Sequence, residues 1–529
     1  MPADGAFLAY HEPGGESTPR FPLLGVLPDY LAADHTRTRT VVSILTLISF
    51  FVFLAVAEWV AERVLGAGLL GHMVAGLVYG APIANILAPE WQDAFLALGY
   101  LGLILIIFEG GLTIRLDLLA QNLVLAVLAA LLGVLTPIAL SFALLYAGFG
   151  YGAIEAFIVG TALCSTSLGT TFVVINNASK AVDFSQTRIG TVLISAAVLD
   201  DVCGLVLVSV IQQLRGLSGG GASTALGWII GRPILASGLL GLLTPLAAKF
   251  VLGPAFRRLV KAGAVRERFQ HAANMALMVL LLSAFLAVAA YAGASVLLGA
   301  FLAGTVVSSL PGRPVDARLH GSDAALAARP AFADTFGKYI GDVQRYVLQP
   351  LFFASIGFAI PFLELWTGEA VWKGVVFAVL MVCGKLVVGL CVPLWDLAAV
   401  RQSPTGSAEK SAGAHRRRVL AASWTPGALL GTAMVARGEI GLLIIQIGLN
   451  DTPFLSRSAF VVGVWAIVLN TIVGPVSIGF LVKRVGLRVA ENPRWGTQAR
   501  RQHSVEMQSG GESQGGSDQA RGSREEIPG

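Results

Sequence analysis

Two adjacent aspartates, Asp200 and Asp201, lie near the middle of the apolar stretch TVLISAAVLDDVCGLVLVSVI, residues 191–211. A charged side chain at the centre of a membrane helix costs about 2.5–3.5 kcal/mol, so two acids together require compensation. A carboxylate in a partly hydrated cavity can hold either a proton or a monovalent cation, because each excludes the other electrostatically. Consecutive residues lie about 100° apart around a helix, so the two acids can contact different partners. The pair predicts a site at which protonation and cation binding compete.

Three further charged residues inside apolar runs are candidate partners of these acids. Lys385 lies in MVCGKLVVGL, and Arg437 and Glu439 lie in AMVARGEIGLL. Charged residues within membranes face a cavity or one another and are functional candidates. Lys385 can neutralise only one of the two aspartates, so the charge of the second carboxylate is not balanced by this lysine. Arg437 and Glu439 can balance the partial charges at the ends of half-helices.

A polar interruption in the fifth apolar run predicts a broken helix. The segment TALCSTSLGTTFVV, residues 161–174, has Ser and Thr residues, including Thr166 and Ser167, around Gly169. Ser and Thr compete for the backbone hydrogen bonds of a helix, and Gly costs about 1 kcal/mol in a helix interior. Broken backbone at membrane depth can line a cavity and coordinate a cation through its carbonyl groups. A second interruption is expected around Gly438, between Arg437 and Glu439.

The elements that position these residues must be membrane helices. The 529-residue chain is 55% hydrophobic and only 13% charged, with a mean hydropathy of +0.73. Soluble domains carry about 25% charged residues, so this composition cannot cover a surface that faces water. Thirteen apolar runs are long enough to cross about 30 Å of hydrocarbon. They begin near residues 41, 67, 93, 120, 152, 187, 224, 270, 293, 344, 369, 424 and 457.

Loop charges predict the orientation and the boundaries of the membrane domain. Lys and Arg are concentrated in the connections after runs 7, 9 and 11, and positive charge stays in the cytoplasm. We therefore expect residues 1–40 to be extracytoplasmic, residues 41–484 to form the transmembrane domain, and residues 485–529 to be a disordered cytoplasmic tail. The net charge of +5 is expected to orient the chain rather than to bind nucleic acid. No cofactor is expected.

The two interrupted runs, 5 and 12, are seven apart and so cross the membrane in opposite directions. Paired broken segments of opposite direction are typical of an inverted repeat. Runs 1–6 would then correspond to runs 8–13, with run 7 as a linker. The sequence thus predicts an all-α polytopic membrane protein of about thirteen helices, with broken helices that cross at mid-membrane.

Five motifs carry a family resemblance. LCSTSLGTT, LISAAVLDDVCGL, PLFFASIGFAI, GK and RGE occur in this order on runs 5, 6, 10, 11 and 12. The chain resembles the monovalent cation/proton antiporters of the sodium/hydrogen exchanger superfamily, in the branch with two adjacent aspartates and an intramembrane lysine. GYLGLILIIFEGGL and CSTSLGTT are most similar to the fungal sodium/hydrogen exchanger-type members. The resemblance covers roughly residues 45–480.

The resemblance implies a secondary antiporter, not an enzyme, that exchanges Na⁺ or K⁺ for protons by alternating access. It implies a homodimer in which a core domain (runs 4–6 and 11–13) slides against a dimerisation domain. It assigns the salt bridge with Lys385 to Asp200, the principal binding of the transported cation to Asp201, and the polar unwound stretch to Thr166 and Ser167. The choice between the plasma membrane and an internal membrane stays open.

Two other functions stay open from the residues alone. A channel-like monovalent cation pathway could use the same scaffold. An intramembrane aspartyl protease also needs two acids, but on separate helices that face one another, whereas these two are consecutive on one helix.

Overall fold

The structure, a computed structural model, describes part of the chain in detail. The described residues are 29–114, 119, 122–167, 175, 184, 187–214, 226–261, 269–310, 330–402, 409–492 and 494–496. Throughout these residues the regular elements are helices, and no strand occurs among them. The prediction of an all-α fold is therefore confirmed.

Fourteen main helices, numbered in chain order, organise the described residues. They are α1 (Asp29–Leu65), α2 (Gly68–Tyr79), α3 (Pro89–Thr113), α4 (Leu123–Ser141), α5 (Ala153–Ala162), α6 (Arg188–Leu214), α7 (Leu226–Ala247), α8 (Gln270–Ala292), α9 (Val296–Ser309), α10 (Gln349–Ala359), α11 (Gly368–Leu386), α12 (Glu409–Ala433), α13 (Glu439–Asp451) and α14 (Arg457–Ala490). Shorter helical segments extend several of them: Phe142–Tyr146 after α4, Ala248–Leu252 and Gly253–Lys261 after α7, Phe332–Phe336, Gly337–Gly341 and Gln344–Leu348 before α10, Phe362–Leu365 before α11, and Val387–Leu390 and Cys391–Gln402 after α11.

Each of the thirteen apolar runs contains one of these helices, and run 12 contains both α12 and α13. In the part of the chain that the structure describes, eight helical segments are long and apolar enough to cross a membrane. Shorter apolar helices include α2, α5 and α9. The molecule is therefore an integral, multi-pass membrane protein, and thirteen crossings stay a prediction.

Contacts divide the chain into two compact units, Met1–Ser49 and Phe50–Gly529. The described part of the first unit is the beginning of α1. Because α1 begins at Asp29, the predicted boundary at residue 40 falls inside a helix. The site and all contacts discussed below belong to the second unit.

The last described helix extends past the predicted boundary at residue 485, and the boundary between domain and tail stays a prediction. α14 continues to Ala490, and Trp495 is completely buried. The composition of this segment suggested that it is solvated, whereas the side chain of Trp495 packs in the apolar core. The remaining tail, 497–529, lies outside the described residues.

Two helix crossings relate the first half of the unit to the second. α2 packs against α10, and α9 packs against α3, which is the exchange of partners expected when run 2 corresponds to run 9 and run 3 to run 10. Both crossings are built on glycine: a Cβ added to Gly76 or Gly357 would lie 2.0 or 2.3 Å from a carbonyl oxygen of the opposite helix. A Cβ on Gly111 or Gly304 would lie 2.1 Å from one. Only glycine allows backbones to approach so closely.

The same correspondence holds for the helices nearest the site. α4 packs against α6, and α11 packs against α14, so runs 4 and 6 are matched by runs 11 and 13. The segments GHMVAG in α2 and GAFLAG in α9 also share their glycine and alanine positions. These paired contacts support the predicted internal repeat.

Candidate functional site

Two helix breaks meet beside α6. α5 ends at Ala162 and α12 ends at Ala433, and a two-residue turn followed by irregular backbone comes after each of them. The N–H of Ser167 donates to the carbonyl of Ala436 at 2.9 Å. Backbone groups that leave a helix need other partners at membrane depth, and each break supplies one for the other. The first break begins six residues earlier than the Gly169 predicted as its centre, which lies outside the described residues.

Lys385 and Asp200 form a buried ion pair next to these breaks. Both side chains are completely buried, and Lys385 Nζ lies 2.7 Å from Asp200 Oδ2. The ammonium also donates to the carbonyl of Cys164 at 2.5 Å and to Thr166 Oγ1 at 3.0 Å. An ammonium has three N–H donors, so all three are satisfied. A buried charge is tolerated under this condition.

Among the described residues, hydrogen bonds to Asp200 are made through only one of its two carboxylate oxygens. Thr166 Oγ1, which accepts from Lys385, donates to Asp200 Oδ2 at 3.0 Å. Asp200 Oδ1 accepts no hydrogen bond from the part of the chain that the structure describes. It faces Gly133 of α4, where an added Cβ would lie 2.8 Å from this oxygen. The carboxylate therefore fits only because α4 has no side chain at this point.

Asp201 has different surroundings. Its side chain is partly exposed and lines a small cleft between the breaks. The cleft is also lined by Ser165, Thr166 and Ser167 from the first break and by Gly438 and Ile440 from the second. Carboxylate, hydroxyl and carbonyl oxygens are the ligand types that hard monovalent cations accept. The structure thus brings Asp201, Thr166 and Ser167 together around one cleft.

Arg437 joins the two breaks from the other side. Its side chain is completely buried, and its guanidinium donates to the carbonyl of Ser165 at 2.9 Å. Thr471 of α14 donates to the carbonyl of Arg437 at 3.2 Å. The predicted balance between Arg437 and Glu439 is not described, because the side chain of Glu439 lies outside the described residues. Arg437 therefore links the two main chains just beyond the end of α5, and the balance of helix-end charges by Arg437 and Glu439 stays a prediction.

Sequence reasoning missed two parts of the site. The carbonyl of Cys164 accepts from Lys385, and Gly133 makes room for Asp200. A main-chain carbonyl has no signal in a sequence. Gly133 had one, since it interrupts the apolar helix LVLAVLAALLGVL, where glycine marks a close approach.

Other ionisable residues of the apolar runs have partners elsewhere. Glu58 Oε2 lies 3.3 Å from His72 Nε2, and Gln344 donates to Glu109 at 2.6 Å. These contacts belong to α1, α2, α3 and the short segment before α10, which do not carry the two breaks. They support packing rather than the cleft.

Comparisons with known proteins decide the family. The family model of the sodium/hydrogen exchanger, transmembrane, matches residues 47–484, which is most of the chain. The protein belongs to the sodium/hydrogen exchanger family. The Na⁺/H⁺-K⁺ antiporter GerN of Bacillus cereus is 23% identical over 413 residues, 77% of this chain and 88% of GerN. The high-affinity Na⁺/H⁺ antiporter NhaS3 of Synechocystis is 36% identical over 114 residues, 22% of this chain and 24% of its own length.

A solved structure supports the exchanger fold. The sodium proton antiporter MjNhaP1 from Methanocaldococcus jannaschii, solved at pH 8, aligns with a TM-score of 0.52 and 16% identity. The alignment covers 84% of this exchanger chain and 98% of MjNhaP1. The family resemblance found in the motifs is therefore confirmed. The closer similarity to fungal members and the placement in the two-aspartate branch stay predictions.

Proposed function

We propose that this exchanger carries Na⁺ or K⁺ across the membrane in exchange for protons, with Asp200 and Asp201 as the shared site of proton and cation. The observation that supports it most is that the two neighbouring carboxylates have different surroundings. Asp200 is tied to Lys385 at 2.7 Å, whereas Asp201 lines the cleft between the breaks. The family membership and the antiporters to which the chain is similar point the same way.

The exchange follows from charge balance at the cleft. With neither ligand bound, the site holds two neighbouring carboxylates, and moving ionised carboxylates through hydrocarbon is costly. A proton or a monovalent cation neutralises negative charge there, so only a loaded site crosses at low cost. Because the two ligands compete for the same carboxylate oxygens, outward loading of one and inward loading of the other become coupled.

Lys385 adds a second level of coupling. A cation that recruits Asp200 as well as Asp201 must displace the Nζ of Lys385 from Asp200 Oδ2. An ammonium released into a buried site is stable only if it loses its proton, so the lysine would release a proton as the cation binds. In this scheme Thr166 stays with Asp200 and supplies a hydroxyl oxygen, and Ser167 supplies another at the cleft.

The decisive experiment measures cation-driven proton flux in proteoliposomes that contain the purified full chain, across Li⁺, Na⁺ and K⁺. Asp201→Asn keeps the shape of the side chain and removes its charge, so it should abolish both the flux and the stabilisation of the protein by the cation. Glu364→Gln is a matched control, because this acid is paired with Arg457 at 3.5 Å at a partly exposed position. Full exchange by Asp201→Asn, or cation currents without proton coupling, would overturn the proposal.

Orientation and assembly are part of the same proposal. We expect the transmembrane domain to span residues 41–484, with an extracytoplasmic N-terminus and a cytoplasmic tail, as the loop charges indicate. We also expect a homodimer in which the helices of the core, α4–α6 and α11–α14, move against the rest. Crosslinking in the membrane followed by mass measurement tests the dimer.

A further inference from the structure

The short segment after the last helix is built into the core. Trp495 is completely buried and is the largest of the fully buried side chains. It belongs to an apolar cluster with Phe184, Ile189 and Val392. Trp495 lies five residues beyond the end of α14, and its contacts are made with two other helices.

The first set of contacts is with the beginning of α6. The N–H of Arg188 donates to the carbonyl of Gly496 at 3.1 Å, and the N–H of Ile189 donates to the carbonyl of Trp495 at 3.2 Å. The first N–H groups of a helix have no acceptor within the helix. The guanidinium of Arg188 also lies 4.7 Å from the centre of the Trp495 ring, within the range of a cation–π contact. The segment thus caps the helix that carries the two aspartates.

The second set of contacts is with the helical continuation of α11. Asp396 is 3% exposed, and the indole N–H of Trp495 donates to its Oδ2 at 2.8 Å. Arg494 donates to the other oxygen at 3.1 Å, and Ser423 of α12 also donates to the carboxylate. A buried carboxylate with three donors of this kind is well satisfied, and removing one leaves a costly gap.

These contacts join the same two helices that meet at the ion pair. On α6, Asp200 lies about 18 Å along the axis from Arg188, and on α11 and its continuation Lys385 lies about 16 Å from Asp396, at 1.5 Å rise per residue. α4 packs against both α6 and α11, and the contacts at the tail end add a further constraint on the angle between these two helices. The contact of Lys385 with Asp200 is therefore set partly from the tail end.

We infer that Trp495 and Asp396 are positioning residues for the Lys385–Asp200 pair, so that the segment after α14 tunes the cation and proton affinities of the exchange site. This rests on the proposed function of that site. A hydrogen bond of 2.7 Å weakens steeply with small changes of distance and angle, so a pivot at the tail end changes how readily a cation displaces the lysine. The segment acts through the helices and does not touch the ion.

Trp495→Phe tests this with little loss of packing. The variant keeps an aromatic ring beside Arg188 and removes the N–H donated to Asp396 together with the volume of one fused ring, a loss that the control variant below shares. Trp465→Phe is the matched control, because its indole N–H donates to the carbonyl of Leu365 at 2.8 Å, away from Asp396. Both variants are compared with the unchanged full chain in proteoliposomes, by the apparent cation KM, the maximal rate and the pH profile of exchange.

We expect Trp495→Phe to change the apparent cation KM by about threefold to tenfold, which is part of the effect of losing one hydrogen bond to a charged group, and to shift the pH profile. Trp465→Phe should leave both unchanged. An anchor that is only structural would lower the unfolding temperature and the amount of active protein while KM and the pH profile stayed the same, and that result would overturn the inference.

A second variant keeps the test decisive if Trp495→Phe does not fold. Asp396→Asn still accepts the indole N–H but loses the ionic contact with Arg494, and it should shift KM and the pH profile in the same direction as Trp495→Phe. Opposite or absent shifts would contradict the inference. If the unchanged chain itself shows no cation-driven proton flux, the proposed function fails instead, so the two failures are distinguishable.

Discussion

Asp200 and Asp201 are neighbours in sequence, yet only Asp200 is enclosed by the ion pair. Because Lys385 and Thr166 already hold it, we expect Asp200→Asn to be milder than Asp201→Asn. The amide can still form a hydrogen bond with Lys385, but it lacks the negative charge that holds the ammonium. Slower exchange with fewer protons per cation should therefore remain. Proton flux with and without an imposed membrane potential measures this as a reduced sensitivity to voltage. Complete loss of exchange would show that Asp200 is itself the principal ion ligand.

Lys385→Ala tests the ion pair as a structural element. Removing one partner of a buried pair typically costs about 3–5 kcal/mol, and here it leaves Asp200 enclosed without an opposite charge. A lone buried acid is tolerated only when it is protonated, so the loss of stability should grow as pH rises. Thermal unfolding in detergent across a pH series measures the effect.

The double variant Lys385→Ala/Asp200→Asn is the control for this interpretation. It contains neither buried charge, so it should regain much of the stability at high pH and lose the pH dependence. Equal losses in the single and double variants would contradict the pairing as the cause.

At the scale of helices, the glycine crossings predict a sharp local contrast. A Cβ on Gly111 would lie 2.1 Å from the carbonyl of Phe301, whereas one on Gly110 would meet nothing within 4 Å. Gly111→Ala should therefore destabilise the protein by about 1–3 kcal/mol through overpacking. Gly110→Ala should be neutral or slightly stabilising, because alanine favours a helix. Thermal unfolding of the two variants measures the contrast, and equal effects would contradict the crossing.

The positions of the helices were predicted from the sequence more completely than the contacts between them. Hydropathy located all thirteen runs, because a membrane helix must satisfy its own backbone and so needs a continuous apolar stretch. The break near Gly438 was also visible, since α13 begins at Glu439. The break after α5 begins at Leu163, inside the predicted segment 161–174, and its backbone contacts Ala436 and Arg437.

Contacts between residues far apart in the chain could not be predicted from the sequence, because residue types and charges do not give positions in space. The charge count indicated that one acid was left over, but a count cannot locate a carbonyl such as that of Cys164. Gly, Ser and charged residues dominate the composition of the chain end, so nothing in that composition indicated that Trp495 would be buried.

For the whole molecule, the loop charges predict a direction in the membrane. In chains that carry Ser17→Cys or Ser513→Cys, an impermeant maleimide added to intact cells should label the first and not the second. The four native cysteines lie in apolar runs, and the unchanged chain serves as the control for their reaction. Labelling of Ser513→Cys from outside would reverse the proposed orientation.

The glycine crossings also dictate an order of events during biosynthesis. α2 and α3 emerge from the ribosome early, but the helices they cross, α10 and α9, emerge on the order of tens of seconds later at 5–20 residues per second. Until then the faces of α2 and α3 that carry Gly76 and Gly111 lack the helices that they cross in the folded protein. The two halves of the chain therefore cannot mature one after the other. A nascent chain released before α9 would leave α2 and α3 without partners, as a substrate for membrane quality control.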